Sequence, residues 1–197
     1  MMYSPLNPNW FFSYIDIPNL SNITQELINL KMTNVQKVSY NVYYTNVFAK
    51  NIHNSCPFLM QYLSDLKILN KFFRLLYSDN MINGSPIHVD SYDPTYCMYS
   101  LNIPLSECDN SYTAWFDTNN KTLMQPHVSP TMFATINSGD ITKELCRVES
   151  NKPFLGNTTI LHRGITNNPN RSLVGLRFYP ELNIDDLHRL GVYNVNN

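Results

Sequence analysis

Pro86-Ile87-His88-Val89-Asp90 has the composition of a short β-strand, with β-branched residues on both sides of a histidine and an acid at its end. Residues two apart in a strand point to the same face, so His88 and Asp90 project together while Val89 packs away from them. An imidazole and a carboxylate then stand side by side. With five His and ten Asp in 197 residues, an H-x-D arises by chance in roughly a quarter of such chains, so the triplet needs further partners to carry chemistry.

The surrounding texture supports the strand. From residue 71 onward, short apolar and β-branched runs alternate with Asn, Asp, Pro and Gly turns, giving candidate strands at 71–78, 86–91, 96–103, 111–117, 130–137, 153–161 and 171–179. That spacing predicts a mainly β fold, a sandwich, barrel or jelly roll, with helices on one outer face. The helices come mostly before it. Ile23, Leu27 and Leu30 repeat at helical spacing after Ser21, predicting a helix over about 21–32. Residues 38–48 read as a strand. Ser55 and Pro57 suit a second helix start, with Phe58, Tyr62, Leu63 and Leu66 as its buried face to about residue 69. A short helix is expected at 184–190. The first twenty residues, rich in Pro and aromatics, predict an extended strap that lays Trp10, Phe11 and Phe12 on the body.

The chain is long enough for one sizeable core, and no repeat or linker divides it. We therefore expect one domain over 1–197, with strap, helices and cover strand in 1–70, the β core in 71–180, and a helix and tail in 181–197. Fourteen Lys+Arg against 15 Asp+Glu leave no footprint for duplex nucleic acid or an anionic membrane. The N-terminus lacks a signal core and no apolar run approaches a membrane span, which predicts a cytoplasmic protein. Cys56, Cys97, Cys108 and Cys146 lie far apart with no C-x-x-C, which argues against a zinc ribbon or a disulfide framework.

His162 offers the third metal ligand, after the candidate strand 153–161 and before the turn Gly164–Pro169. Two histidines and one carboxylate on one face of an octahedral metal leave three positions open, which suits non-haem Fe(II) better than structural zinc. Nine residues later Arg171 opens Arg171-Ser172-Leu173-Val174-Gly175-Leu176-Arg177-Phe178. Turned inward, its guanidinium would hold a carboxylate by two parallel hydrogen bonds, a geometry Lys cannot copy. Arg177 shares its parity.

On these residues the stretch from about Tyr77 to Tyr179 resembles the Fe(II)/2-oxoglutarate-dependent dioxygenase superfamily, through H-x-D, a distal His and a following Arg. The blocks Ser100–Leu105, Asn110–Phe116 and His162–Phe178 are similar to small, substrate-orphan oxygenases common in viral and marine-microbial sequences. The resemblance implies a double-stranded β-helix (cupin or jelly-roll) core. It also implies Fe(II) on His88, Asp90 and His162, with 2-oxoglutarate as co-substrate and O₂ as oxidant. Arg171 would anchor the 5-carboxylate, with Arg177 nearer the far end or in a salt bridge. Tyr77 matches a co-substrate-binding Tyr of the prolyl-hydroxylase-like branch. Many members carry a Ser two residues after the Arg, but Leu173 stands there, and Tyr77, Ser100 or Asn102 are the candidates to replace it. If the chain is viral, the cytoplasm is that of the host.

The implied reaction is hydroxylation of a second substrate, with 2-oxoglutarate converted to succinate. The substrate could be a small molecule, a nucleotide or a protein side chain. Its choice is set by loops at the barrel mouth, expected at 41–56, 91–95 and 118–129. Two other readings stay open: a metal-binding cupin without 2-oxoglutarate chemistry, and a non-enzymatic jelly-roll module. Taken singly, His88 and Asp90 could flank an exposed turn, His162 could end a strand, and Arg171 could serve a surface salt bridge. Their order along one chain favours the oxygenase.

Overall fold

The computed structural model describes residues 10–34, 36–39, 42–47, 52–68, 72–79, 87–90, 99–118, 125–129, 132–136, 141–179 and 181–193. In chain order the elements are β1 (Phe12–Tyr14), α1 (Leu20–Asn34), β2 (Gln36–Ser39), β3 (Val42–Val47), α2 (Pro57–Asp65), β4 (Phe72–Asp79), β5 (Ile87–Val89) and β6 (Tyr99–Ser106). There follow β7 (Ser111–Thr118), β8 (Gln125–Ser129), β9 (Met132–Ile136), β10 (Ile141–Glu149), β11 (Phe154–Asn157), β12 (His162–Thr166), β13 (Ser172–Tyr179) and α3 (Ile184–Arg189). The strands form two antiparallel sheets, β1-β11-β6-β13-β4-β3-β2 and β10-β7-β12-β5-β9-β8. This is the mainly β jelly-roll, a double-stranded β-helix with flanking helices. Among the described residues no helix is long and apolar enough to cross a membrane.

Strand parity decides which side chains reach the cavity between the sheets. Leu75 and Tyr77 of β4, Tyr99, Leu101 and Ile103 of β6, and Val174, Leu176 and Phe178 of β13 face outward. There they meet Ile23, Leu27 and Leu30 of α1, Leu59 and Leu63 of α2, and Leu187 of α3. This is the main core. The alternate residues, Leu76 and Ser78, Ser100 and Asn102, Leu173 and Gly175, line the cavity instead.

The two long helices are joined by a charge. No side chain of Cys56 caps α2, but the Glu26 carboxylate of α1 accepts the backbone N–H of Phe58 at 2.9 Å and of Leu59 at 3.0 Å. An anion there meets the positive end of the helix dipole. At its other end α2 stops at residue 65, short of the expected 69, because Lys67 takes a left-handed φ of 57°. The Lys67 N–H then bonds Ser64 O and the Ile68 N–H bonds Leu63 O, the paired closure of a Schellman turn.

Several expected elements shift. The expected strand over 38–48 is a hairpin, β2 and β3. Residues 118–129, expected as a mouth loop, contain β8, and β3 lies inside the other expected loop at 41–56. The third, 91–95, lies outside the described residues, as does Cys97. Strand β10, Ile-Thr-Lys-Glu-Leu-Cys-Arg-Val-Glu, was not expected at all. Its charged residues argue against a strand, yet it is the outer strand of its sheet, where charges are favoured. The run 153–161 breaks at Asn157, whose side-chain carbonyl accepts from Thr159 N–H at 3.0 Å and Thr159 O–H at 2.7 Å. The chain thereby turns, and His162 begins a strand of its own.

Of the expected strap, residues 1–9 lie outside the described residues, and Phe12 lies on the body as expected. β1 pairs with β11, and Phe12 stacks on Trp115 with ring centroids 5.8 Å apart.

Candidate metal centre and its cavity

His88 and His162 are direct partners across the β5–β12 pairing, which brings two residues 74 positions apart into one rung. Their ring centroids lie 4.5 Å apart. Asp90 sits one residue past β5, its backbone N–H held by Thr158 O at 3.0 Å. Its carboxylate lies 3.5 Å from His88 Nε2 through Oδ1 and 3.6 Å from His162 Nε2 through Oδ2. The three possible ligand atoms all fall within 4.8 Å of one another.

The protonation states suit a cation. His162 Nδ1 lies 2.8 Å from Ile160 O; a carbonyl only accepts, so Nδ1 carries the proton and Nε2 presents its lone pair. Burial, and then the neighbouring His88, push the His162 imidazole down to about 4, which leaves it neutral near pH 7. Burial alone would raise the Asp90 carboxyl. Arg177, followed by His88 and His162, overcomes that and holds it well below the ordinary carboxylate range.

Arg177 Nη2 stands 2.6 Å from Asp90 Oδ2. That contact is an ion pair, and among the described residues neither buried carboxylate oxygen has a hydrogen bond of good geometry. Buried oxygens in that state are costly unless something else coordinates them. Two imidazole nitrogens and one carboxylate oxygen, with open space beside them, fit a divalent iron. An open pocket lies beside them, lined among others by His88, His162, Arg171 and Arg177.

Arg171, Leu173, Gly175 and Arg177 all line this pocket, as the parity of β13 requires. Arg171 is almost fully buried, and its Nη1 donates to Ser78 Oγ at 2.6 Å, while its Nε has no hydrogen-bond partner among the described residues. Burial lowers its guanidinium from the ordinary value, opposed by Cys108 and Asp79. Starting that far up, it stays a cation near neutral pH. Ser100 and Asn102 also reach the pocket, with Ser100 O–H donating to Asn102 Oδ1 at 3.2 Å. Gly175 makes room for them: a Cβ there would come within 2.6 Å of Ser100 Oγ.

Tyr77 is a correction. It belongs to the opposite face of β4, buried among the core helices, and its hydroxyl donates to Leu27 O at 2.9 Å. Its neighbour Ser78 is the residue that meets Arg171, and sequence reasoning missed it. The signal was the strand period: if Arg171 faces inward and β4 pairs with β13, the residue opposite Leu173 faces inward too, and that residue is Ser78. His53 and His188 are exposed and take no part, and the side chain of His127 lies outside the described residues. Trp115 both packs under the strap and lines the pocket, its indole N–H donating to Asn157 O at 2.8 Å.

Fold and site together define a double-stranded β-helix with a His-Asp-His cluster and a buried arginine in its cavity. Among solved structures the chain is similar to the epimerase SnoN in complex with Fe³⁺, α-ketoglutarate and nogalamycin RO (TM-score 0.51, 10% identity, covering 85% of this chain and 78% of that one). It is also similar to a prolyl hydroxylase from Trichoplax adhaerens in complex with a hypoxia inducible factor peptide fragment (TM-score 0.50, 13% identity, 86% and 83% covered). A third is the non-heme α-ketoglutarate-dependent carbocyclase SnoK from nogalamycin biosynthesis (TM-score 0.50, 9% identity, 96% and 89% covered). At such identities the likeness is one of fold. No family model matches the chain, and no curated protein matches it.

Proposed function

We propose that this chain is a non-haem Fe(II)- and 2-oxoglutarate-dependent oxygenase that hydroxylates a second substrate. The observation that carries the reading is the convergence of His88, Asp90 and His162 within 4.8 Å, in a pocket that also receives the buried Arg171. Three similar folds whose names include iron, α-ketoglutarate or hydroxylation chemistry support it.

His88, Asp90 and His162 would hold the metal. Bound Fe(II) would supply the redox chemistry that couples oxidation of 2-oxoglutarate by O₂, to succinate and CO₂, with oxidation of the substrate. The chain's own work is positional. The Ile160 carbonyl fixes the His162 tautomer, so the ring needs no rearrangement to ligate. Arg171 would bind the distal carboxylate of 2-oxoglutarate, with the Ser78 hydroxyl beside it. Burial of these groups in a low-dielectric pocket strengthens each such contact. The substrate class, from small molecule to nucleotide or protein side chain, is set by the mouth.

Anaerobic addition of Fe(II) and 2-oxoglutarate should give the weak visible charge-transfer band of the chelate, and admission of O₂ should release succinate. No band, together with a His88→Ala protein that binds metal like wild type, would overturn the proposal. A metal cupin without 2-oxoglutarate chemistry is favoured by one feature, the apolar Leu173 in the pocket beside Arg171. Metal uptake by the wild-type protein without binding of 2-oxoglutarate would select that reading.

A further inference from the structure

Arg171 and Arg177 enter the same pocket from one face of β13, and their partners differ in kind. Arg171 rests on a neutral hydroxyl, Ser78 Oγ. Arg177 rests on a carboxylate, that of Asp90, at 2.6 Å. Asp90 is also the one anionic member of the His-Asp-His cluster. The side chains of the pair are 0% and 9% exposed, so water and salt screen the interaction little.

The charges can be followed through loading. Asp90 and Arg177 carry opposite charges and offset one another. A divalent cation on the cluster adds two positive charges beside a guanidinium already using the same carboxylate, and Arg171 adds a third within the pocket. The cation is therefore opposed by Arg177, whereas a dianion arriving afterward is attracted by Arg177, Arg171 and the metal together. The sign of Arg177's contribution reverses between the two steps.

We propose that Arg177 trades metal affinity for dicarboxylate affinity: its charge weakens binding of the bare divalent metal and strengthens binding of the dianion that joins it. This rests on the oxygenase reading only for the identity of the dianion. It makes Arg177 a positioning residue acting through Asp90, distinct from the carboxylate anchor Arg171. It also separates Arg177 from a purely structural ion pair, whose loss would weaken both ligands alike.

Metal-free wild type, Arg177→Met and Arg177→Lys are titrated with Mn(II) by calorimetry, and each Mn(II)-loaded protein is then titrated with 2-oxoglutarate. A unit charge a few Å from a divalent ion, at an effective dielectric near 20, leads us to expect Mn(II) about tenfold or more tighter in Arg177→Met and 2-oxoglutarate about tenfold or more weaker. Arg177→Lys, which keeps the charge, should stay within about threefold of wild type in both titrations. Weaker or unchanged Mn(II) binding by Arg177→Met overturns the proposal, as does unchanged or tighter 2-oxoglutarate binding. Circular dichroism and melting check each variant's fold, and Arg177→Gln, neutral and closer in size, replaces a Met variant that fails. Failure of the oxygenase reading is visible separately: wild type itself would then take up no Mn(II), or take up Mn(II) without 2-oxoglutarate.

Discussion

The two walls of the cavity are built by different means. The six-stranded sheet presents His88, Asp90 and His162 from two adjacent strands, with positions fixed by one register pair and one two-residue step. The seven-stranded sheet presents Ser78 from β4, Ser100 and Asn102 from β6, and Arg171 just before β13, so several kinds of donor could serve a carboxylate. A metal tolerates little variation in donor type and distance, while an anion seat can be assembled from many donors. On the proposed function, the ligand wall is the rigid part of the design and the anion wall the adjustable one.

The sharpest way to break this contrast is to remove the carboxylate. Asp90→Ala should lower Mn(II) affinity by a factor on the order of 10³ and abolish succinate release, because the metal loses its only charged ligand in the cluster. It should also cost stability, since Arg177 is left buried without its counter-ion, a loss of about 3 kcal/mol in a urea melt of the metal-free protein. A variant that kept its metal affinity would show that the ligand wall is not where the metal binds.

On the other wall the effect should be confined to the co-substrate. Arg171→Met should weaken 2-oxoglutarate by about 100-fold, the worth of a lost bidentate charge pair, and leave Mn(II) affinity within a few-fold of wild type. Loss of both affinities together would mean that the walls are not separable. Calorimetry on the metal-free and Mn(II)-loaded protein distinguishes the outcomes.

The contrast explains what could be read from sequence. The ligand wall was legible because H-x-D carries its own geometry: a strand forces residues 88 and 90 to one side, and only a distal His remained to be found. On the other wall the inward facing of Arg171 was legible, from its chemistry and distance from His162, but its partner was not. The choice of Tyr77 followed residue type and ignored that Tyr77 and Ser78 lie on opposite faces of β4. In the fold, β10 escaped notice because an outer strand can carry Lys, Glu and Arg that a central one would exclude. The early end of α2 depended on one backbone angle at Lys67, which no side-chain pattern announces.

Acid should act on the ligand wall selectively. Because the folded His162 titrates near 4 against about 6.5 in the unfolded chain, the unfolded state binds the extra proton between those values, and stability falls as pH drops through that window. Depression of the Asp90 carboxyl acts lower, below the unfolded value near 4, so it leaves this window to His162. Metal-free protein should lose about 2 kcal/mol between pH 7 and pH 5, and His162→Gln should remove most of that slope. Urea midpoints across the range measure it. A slope that persists in the variant would assign the proton elsewhere.

The smallest expected effects give the finest discrimination, because they come from two consecutive residues. Ser78→Ala removes a hydroxyl from the pocket and leaves a buried guanidinium N–H short of a partner, so 2-oxoglutarate should bind about five- to tenfold more weakly. The same change should scarcely affect the core packed on the other side of the strand. Tyr77→Phe removes a buried hydroxyl that donates to the Leu27 carbonyl, so the protein should lose about 1 kcal/mol of stability with no change in 2-oxoglutarate affinity. The two variants thus part on binding: Ser78→Ala weakens 2-oxoglutarate, and Tyr77→Phe leaves it unchanged while costing stability. If Tyr77→Phe weakened 2-oxoglutarate instead, the facing of β4 would be reversed, and with it the placement of Arg171 through the Leu173–Ser78 pairing. One residue's step along a strand would then have moved the whole anion wall to the other side of the sheet.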